Sequence, residues 1–583
     1  MRAYFSLLII LIPISTAIAQ SADDSLYKFF DAEWVYQMEQ YPESATRTGY
    51  PGQDDRWTDR SPQAIESRKQ HTRQALSTLE TVEPASLSIP TRLDHSLYLR
   101  RLQLDVEGQQ FRGELMPMTQ LRGAQQNLAM TISVMPKTSA SDFENIISRL
   151  RSGSNVVDQE VALLREGLKR GLTPPKITLR DIPDQVRNQI VDDPFASPLL
   201  RAFEQMPAAI PEDDQQRFRE QAATAYRETI APAYKRMLTF LEDNYLPNAR
   251  ESIAATDLPN GKEWYAHNIR RMTTTDLTPE TIHELGQSEV RRIRETMEAV
   301  IIDAEFHGTF KEFTEFLRTD PQFYFTEAHD LMITYRDIAK RIDAELPRMF
   351  ATLPRLPYGV DRIPSFAEKS QTTAYYQPGS PQAGRPGIFY ANTYDLPSRP
   401  KWEMEALTLH EAMPGHHLQI AIAQELEDVP DFRRWSGPTA FVEGWGLYAE
   451  SLGEEMGFYA DPYHKFGQLT YEMWRAVRLV VDTGMHALGW SRQEAIDFFI
   501  ANTGKSEHDI TVEIDRYIVW PGQALAYKLG ELKFKELRAR AEEKLGDNFD
   551  IRTFHDALLE EGALPLDVLE ERINRWIEMK AAE

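Results

Sequence analysis

Residues 410–417 read His410-Glu411-Ala412-Met413-Pro414-Gly415-His416-His417, and Glu443 follows in the run Phe441-Val442-Glu443-Gly444-Trp445-Gly446. Two or three imidazoles, an acid beside the first of them and a second acid about thirty residues on are the components of a zinc-dependent hydrolase. Zinc takes neutral His nitrogens and a carboxylate oxygen and keeps an open position for water. The short form of this pattern, H-E-x-x-H, sets its two His one helical turn apart. Here Pro414 stands at the i+4 position. On an uninterrupted helix His416 points about 240° round from His410, and His417 shares the face of His410 but lies about 10.5 Å along the axis. Pro414 removes the backbone bond to His410 and Gly415 accepts almost any conformation. The pair therefore predicts a bulge that absorbs two residues and returns His416 to the face of His410. The expected metal ligands are His410, His416 and Glu443, with His417 the alternative second imidazole. The plainer alternative is a hydrogen-bonded His at a helix break and a surface Glu. Glu443 argues against it, because it sits among Phe441, Val442 and Trp445 with two glycines that allow another backbone to approach. Glu411, next to the first ligand, is the expected general base.

The elements that must hold these residues are mostly helical. Apolar residues recur at three- and four-residue spacing over 25–40, 62–80, 93–110, 141–170, 211–244, 279–303 and 326–353. Ser61-Pro62 and Thr278-Pro279 are helix starts. Residues 173–197 read as a Pro-rich connection, and residues 354–400, rich in Pro, Gly and Tyr, break the helical pattern. Within that break Gly387–Asn392 reads as a strand. It is either a short packing hairpin or a strand that pairs with an extended peptide, with Tyr390 a candidate substrate contact. Helices resume at 399–413, 439–457, 462–489, 491–503 and 510–530 and continue to the C-terminus. Along 462–489, Arg475, Arg478, Asp482 and His486 form one stripe on a largely apolar helix. Either an Arg holds a substrate carboxylate, or Arg478 and Asp482 pair to brace the core.

The segment 388–453 resembles the bacterial domain-of-unknown-function family eight-eight-five, whose pattern is H-E-x-x-P-G-H-H followed by E-G-W-x-L-Y-x-E; the second block stands here as Glu443-Gly444-Trp445-Gly446-Leu447-Tyr448-Ala449-Glu450. Residues 475–490 and 515–530 resemble the family as well. That family is in turn similar to the gluzincin metallopeptidases of the thimet-oligopeptidase, angiotensin-converting-enzyme and carboxypeptidase Taq kind. The likeness implies a mainly α fold: a large helical body with a deep cleft and a small β element next to the metal helix. Gly before the second ligand His, common in gluzincins, favours His416. Gluzincins often place an acid four residues after the ligand Glu; here that position is Leu447, and Glu450 is the substitute. A late-helix Tyr often stabilises the oxyanion in those enzymes. Asp515-Arg516-Tyr517 resembles the segment that carries it, so Tyr517 is the first choice and Tyr527 the second. Arg475, Arg478, His486 and Arg516 are candidate substrate-binding residues.

Composition sets the outer bounds. The 583 residues contain no Cys, which excludes disulfides, thiolate ligands, Cys nucleophiles and a lipid-bearing Cys. Net charge is −24, or −25 without Arg2, and opposes binding to nucleic acid. Met1-Arg2, an apolar run to Ile14 and Ala17-Ile18-Ala19 read as a signal peptide cleaved after Ala19. The expected organisation is a signal over 1–19, a helical lobe over 20–353 and a metal-binding lobe over 354–583, the two interleaved. No later run is long and apolar enough for a membrane span. The expected protein is a periplasmic or secreted metallopeptidase with one zinc per chain, acting on short peptides. The alternatives are a zinc hydrolase of another amide or ester, an inactive peptide-binding relative and a structural helical protein.

Overall fold

The computed structural model describes residues 21–365 and 368–583; the expected signal segment lies outside the described residues. The protein is mainly α, with one small three-stranded sheet among the described residues. No described helix is long and apolar enough to cross a membrane.

Helix starts follow local chemistry. Ser61 and Thr278 accept bonds from Ala64 N and Thr281 N, and Pro62 and Pro279 occupy the first helical turn where no N–H is needed. The stretch expected as one helix over 211–244 runs from Glu212 to Tyr245 with two π-helical turns, Tyr226–Ile230 and Leu241–Tyr245. The helix expected over 510–530 is two: Glu507–Val519 ends before Pro521, Gly522 takes φ +85°, and Ala526–Leu545 starts afresh. Helices Ala124–Val134, Gly261–Thr273 and Phe310–Thr319 lie outside the expected helical stretches.

Two large apolar cores organise the chain. One gathers residues from Met118 to Ala249. The other runs from Val290 to Ile577 and joins helices Pro279–Asp303 and Ala328–Met349 to the helices of the C-terminal half. In the sheet, β1 (Tyr358–Arg362), β2 (Ala374–Gln377) and β3 (Gly387–Ala391) lie in the order β1-β3-β2. β3 pairs parallel with β1, Tyr358 opposite Gly387, and antiparallel with β2, Ala374 opposite Ala391. The predicted strand therefore exists, but both its edges are bonded, and it cannot pair with a peptide as expected. The free edge nearest the candidate ligands belongs to β2.

Candidate metal centre and active-site cavity

The first candidate ligand lies on helix Met404–Glu411, which ends one residue after it. The connection 412–415 contains a cis Met413–Pro414 bond, and helix His416–Glu425 begins at the second candidate. The expected bulge within one helix is thus a full break between two helices. Gly415 is demanded by the geometry: a Cβ there would sit 1.9 Å from the carbonyl oxygen of His410. The His417 N–H bonds Ala412 O at 3.1 Å, and Trp445 Nε1 donates to Pro414 O at 2.8 Å. Trp445 belongs to helix Thr439–Leu452, so the break is tied to the helix that carries Glu443.

On that helix Glu443, Gly446 and Glu450 follow at i, i+3 and i+7 and share a face. Gly446 leaves room for the ring of His410, which a Cβ would meet at 2.7 Å. The two acids then bracket the imidazole. Glu450 Oε1 accepts from His410 Nδ1 at 2.8 Å, and Glu443 Oε2 lies 3.8 Å from His410 Nε2 and 3.4 Å from His416 Nε2. One ligand atom from each of His410, His416 and Glu443 falls within 4.8 Å of the others. Donors held about 2.1 Å from one tetrahedral ion stand roughly 3.4 Å apart, whereas a direct charge-assisted hydrogen bond closes to about 2.7–2.9 Å. The His416–Glu443 separation is that of co-ligands, and the His410–Glu443 separation is a few tenths of an ångström wider. The bond from Nδ1 to Glu450 leaves Nε2 as the lone-pair nitrogen, the carboxylate–histidine arrangement that orients a metal ligand. The residues present fit zinc.

Electrostatics agree. Burial opposes charge on His410, but Glu443 and Glu450 outweigh it and raise its pKa to about 9. Burial likewise opposes ionisation of Glu443, yet His410 and His416 hold its pKa well below the usual range. The pocket is built for positive charge between these groups, protons or a metal.

His417 takes no part in the cluster. Fully buried, it bonds the Tyr376 hydroxyl through Nδ1 at 2.8 Å and Leu356 O through Nε2 at 3.0 Å, and burial lowers its pKa to about 4. It anchors the sheet region to the second ligand helix.

The metal cluster borders a cavity of about 290 Å³. Glu411 lines it, as do residues 372–376 at β2, Tyr527 and the three arginines Arg475, Arg478 and Arg516. Other expected residues are placed elsewhere. The Tyr517 hydroxyl donates to Glu513 Oε2 at 2.7 Å and accepts from Arg478 Nε at 2.7 Å and Trp474 Nε1 at 2.9 Å, outside the cavity lining. Its oxygen is fully engaged, and of the two expected tyrosines Tyr527 is the one that lines the cavity. Tyr527 accepts one bond, from Gln523 Nε2 at 3.3 Å, and its proton is free to donate. His486 is buried, bonded to Ala255 N and Tyr517 O, and reaches no substrate space. Tyr390 lies against Tyr375 and lines a separate, larger cavity. The expected Arg478–Asp482 pair is absent: Arg478 pairs with Glu513, while Asp482 accepts from Tyr265 Oη at 2.6 Å and Gly522 N at 3.2 Å. Glu513, which sequence reasoning missed, precedes Arg516 and Tyr517 by three and four residues, a same-face spacing that could have signalled it.

The family profile described as "Bacterial protein of unknown function (DUF885)" matches residues 42–573, and the chain belongs to that family. Among solved structures, a Colwellia psychrerythraea protein described as a "putative lipoprotein" is 26% identical with a TM-score of 0.91, over 96% of this chain and 100% of that one. A Shewanella oneidensis protein described as a "putative lipoprotein of unknown function" is 15% identical with a TM-score of 0.71, over 93% and 98%, and shares the fold. No curated protein matches the chain.

Proposed function

We propose that this family member is an exported zinc-dependent peptidase of short peptides. One observation carries the reading: two imidazoles and a carboxylate stand at the mutual spacing of zinc ligands, with one imidazole oriented by Glu450. His410 and His416 through Nε2, and Glu443 through a carboxylate oxygen, would hold the ion. When bound, zinc supplies a Lewis acid that polarises a water and the scissile carbonyl. Glu411 takes a proton from the attacking water and returns it to the leaving nitrogen. Tyr527 donates its phenolic proton to the carbonyl oxygen as negative charge develops there. Its pKa is pushed up by burial and by Glu443, so it remains a protonated donor. β2 is an edge strand of the sheet beside the cavity, where an extended peptide can add as a further strand. Export fits both the N-terminal sequence and the description of the Colwellia relative.

The test is digestion of a mixed library of short peptides by the zinc-loaded protein and by the same protein after chelation, with products read by mass spectrometry. Cleavage that disappears on chelation and returns with zinc is expected. Absence of any peptide cleavage, with hydrolysis of a non-peptide amide or ester instead, overturns the substrate class.

A further inference from the structure

The cavity has a second polar end. Arg475, Arg478 and Arg516 line it and are 5%, 5% and 8% exposed. Their compensation is thin. Arg478 and Arg516 share one carboxylate, Glu513, at 3.1 Å each. Arg475 reaches Glu450 at 3.3 Å, but the same Glu450 oxygen already holds His410. Three buried guanidiniums thus contact two acids, one of them shared with His410, while the other acids of the lining, Glu411 and Glu443, stand at the histidine end of the cavity. Two of their donors, Arg475 Nε and Arg478 Nη1, are buried without a hydrogen-bond partner among the described residues, and the Tyr471 hydroxyl beside them lacks one as well. A buried charge or donor left unpaired is costly, so such a cluster calls for an anionic guest.

The guest's chemistry follows from the geometry. Guanidinium forks match carboxylates. The Arg475–Glu450–His410 chain of contacts sets this cluster next to the metal ligands, and the shared cavity of about 290 Å³ is at the small end for a ligand site. Only a short piece of substrate fits between the reacting bond and the arginines.

We propose that Arg475, Arg478 and Arg516 form a subsite for the free C-terminal carboxylate of a peptide, which makes the protein a C-terminal exopeptidase. The proposal rests on the peptidase reading above. In the reaction the water oxygen bonds to the carbonyl carbon and the C–N bond breaks. The proton held by Glu411 goes to the departing nitrogen. The products are a shortened peptide with a new carboxylate and a released C-terminal amino acid or dipeptide, whose original carboxylate stays with the arginines until it leaves.

A pentapeptide library made with free and with amidated C-termini, given to the zinc-loaded wild-type protein, tests this. Loss of one or two C-terminal residues from the free acids is expected, with kcat/KM about 10–100-fold above the amides, the size of one charge-assisted contact. Internal cleavage, or equal rates on the two forms, overturns the carboxylate subsite and leaves the zinc peptidase standing. Failure to cleave either form overturns both. Two further readouts address the cluster itself. In Arg516→Gln the acid-to-amide ratio is expected to fall towards 1, through KM more than kcat; an unchanged ratio in a folded variant overturns its role. Product inhibition of the wild type needs no variant: a free amino acid should inhibit about tenfold better than its amide, and equal inhibition overturns the proposal.

Discussion

The two ends of the cavity are built in opposite ways. At the metal end three short segments, 404–411, 416–425 and 439–452, converge; Glu450 faces His410 Nδ1 and Glu443 faces both Nε2 atoms, while His416 Nδ1 and the second Glu450 oxygen have no hydrogen-bond partner among the described residues. At the arginine end the residues come from helices Pro462–Ala487 and Glu507–Val519, and the charges are under-matched. On the proposed reading one end holds a cation and the other an anion. A molecule with a polarisable carbonyl a short distance from a carboxylate answers both, which is the plan of a peptide's C-terminus.

The sharpest way to break this contrast is at the metal end. Zinc content by mass spectrometry of the purified protein is expected at about one per chain, with nearly all of it lost in His416→Ala or Glu443→Ala, because two remaining ligands no longer define the site. Arg478→Gln should keep its zinc. Loss of zinc from the arginine variant and retention in the ligand variants would erase the division of labour. Next in size is Glu411→Gln. It should hold zinc and lose about 10²–10⁴-fold in turnover, since an amide cannot take up the water's proton. Full turnover in that variant would move the base elsewhere.

How much of this was legible depended on where the information lay. His410, His416 and Glu443 could be brought together because their types and their Pro-Gly interruption are local, and Glu450 entered through the gluzincin likeness, as the substitute for the acid expected at Leu447. The manner of the interruption was not legible: a bulge and a complete break both return His416 to His410, and only the contact of Gly415 with the His410 carbonyl separates them. The order of the sheet was equally hidden. Gly387–Ala391 has the strand composition, but β2, with Thr372 and Thr373 just before it, is the element at the cavity. Tyr517 and His486 were misread for a common reason. A buried polar residue on a helix looks the same in sequence whether it faces a cavity or a tertiary partner, and here Glu513, Arg478 and Ala255 are those partners.

That last distinction can be sharpened with two tyrosines ten residues apart. Tyr527→Phe should cost about 10²–10³-fold in kcat with little effect on substrate binding, as removal of one oxyanion donor does. Tyr517→Phe removes a hydroxyl that joins Glu513, Arg478 and Trp474, and should act mainly on stability, by about 1–3 kcal/mol. Steady-state kinetics and thermal unfolding on both variants check the pair; a reversed pattern would return Tyr517 to the chemistry.

The smallest expected effect separates the neighbouring imidazoles His416 and His417. His417 is buried between Tyr376 and Leu356 O, and burial brings its pKa down to about 4. An unfolded His titrates near 6.5. The folded value is the lower one, so the stability His417 contributes is fully present above about pH 6.5 and is lost as pH falls towards 4, where the folded chain would have to take a proton into an apolar site. The gap between about 6.5 and about 4 corresponds to about 3 kcal/mol at most, reduced by whatever relaxation admits water. His417→Gln does not titrate in this range. With zinc chelated from both proteins, the wild type should exceed the variant in Tm by most at pH 7, and the difference should shrink steadily towards pH 4. Zinc content of His417→Gln at pH 7 should stay close to one per chain, against near zero for His416→Ala. A Tm difference that does not change with pH would mean that His417 is not held neutral by burial, and loss of zinc from His417→Gln as complete as from His416→Ala would place both imidazoles on the metal.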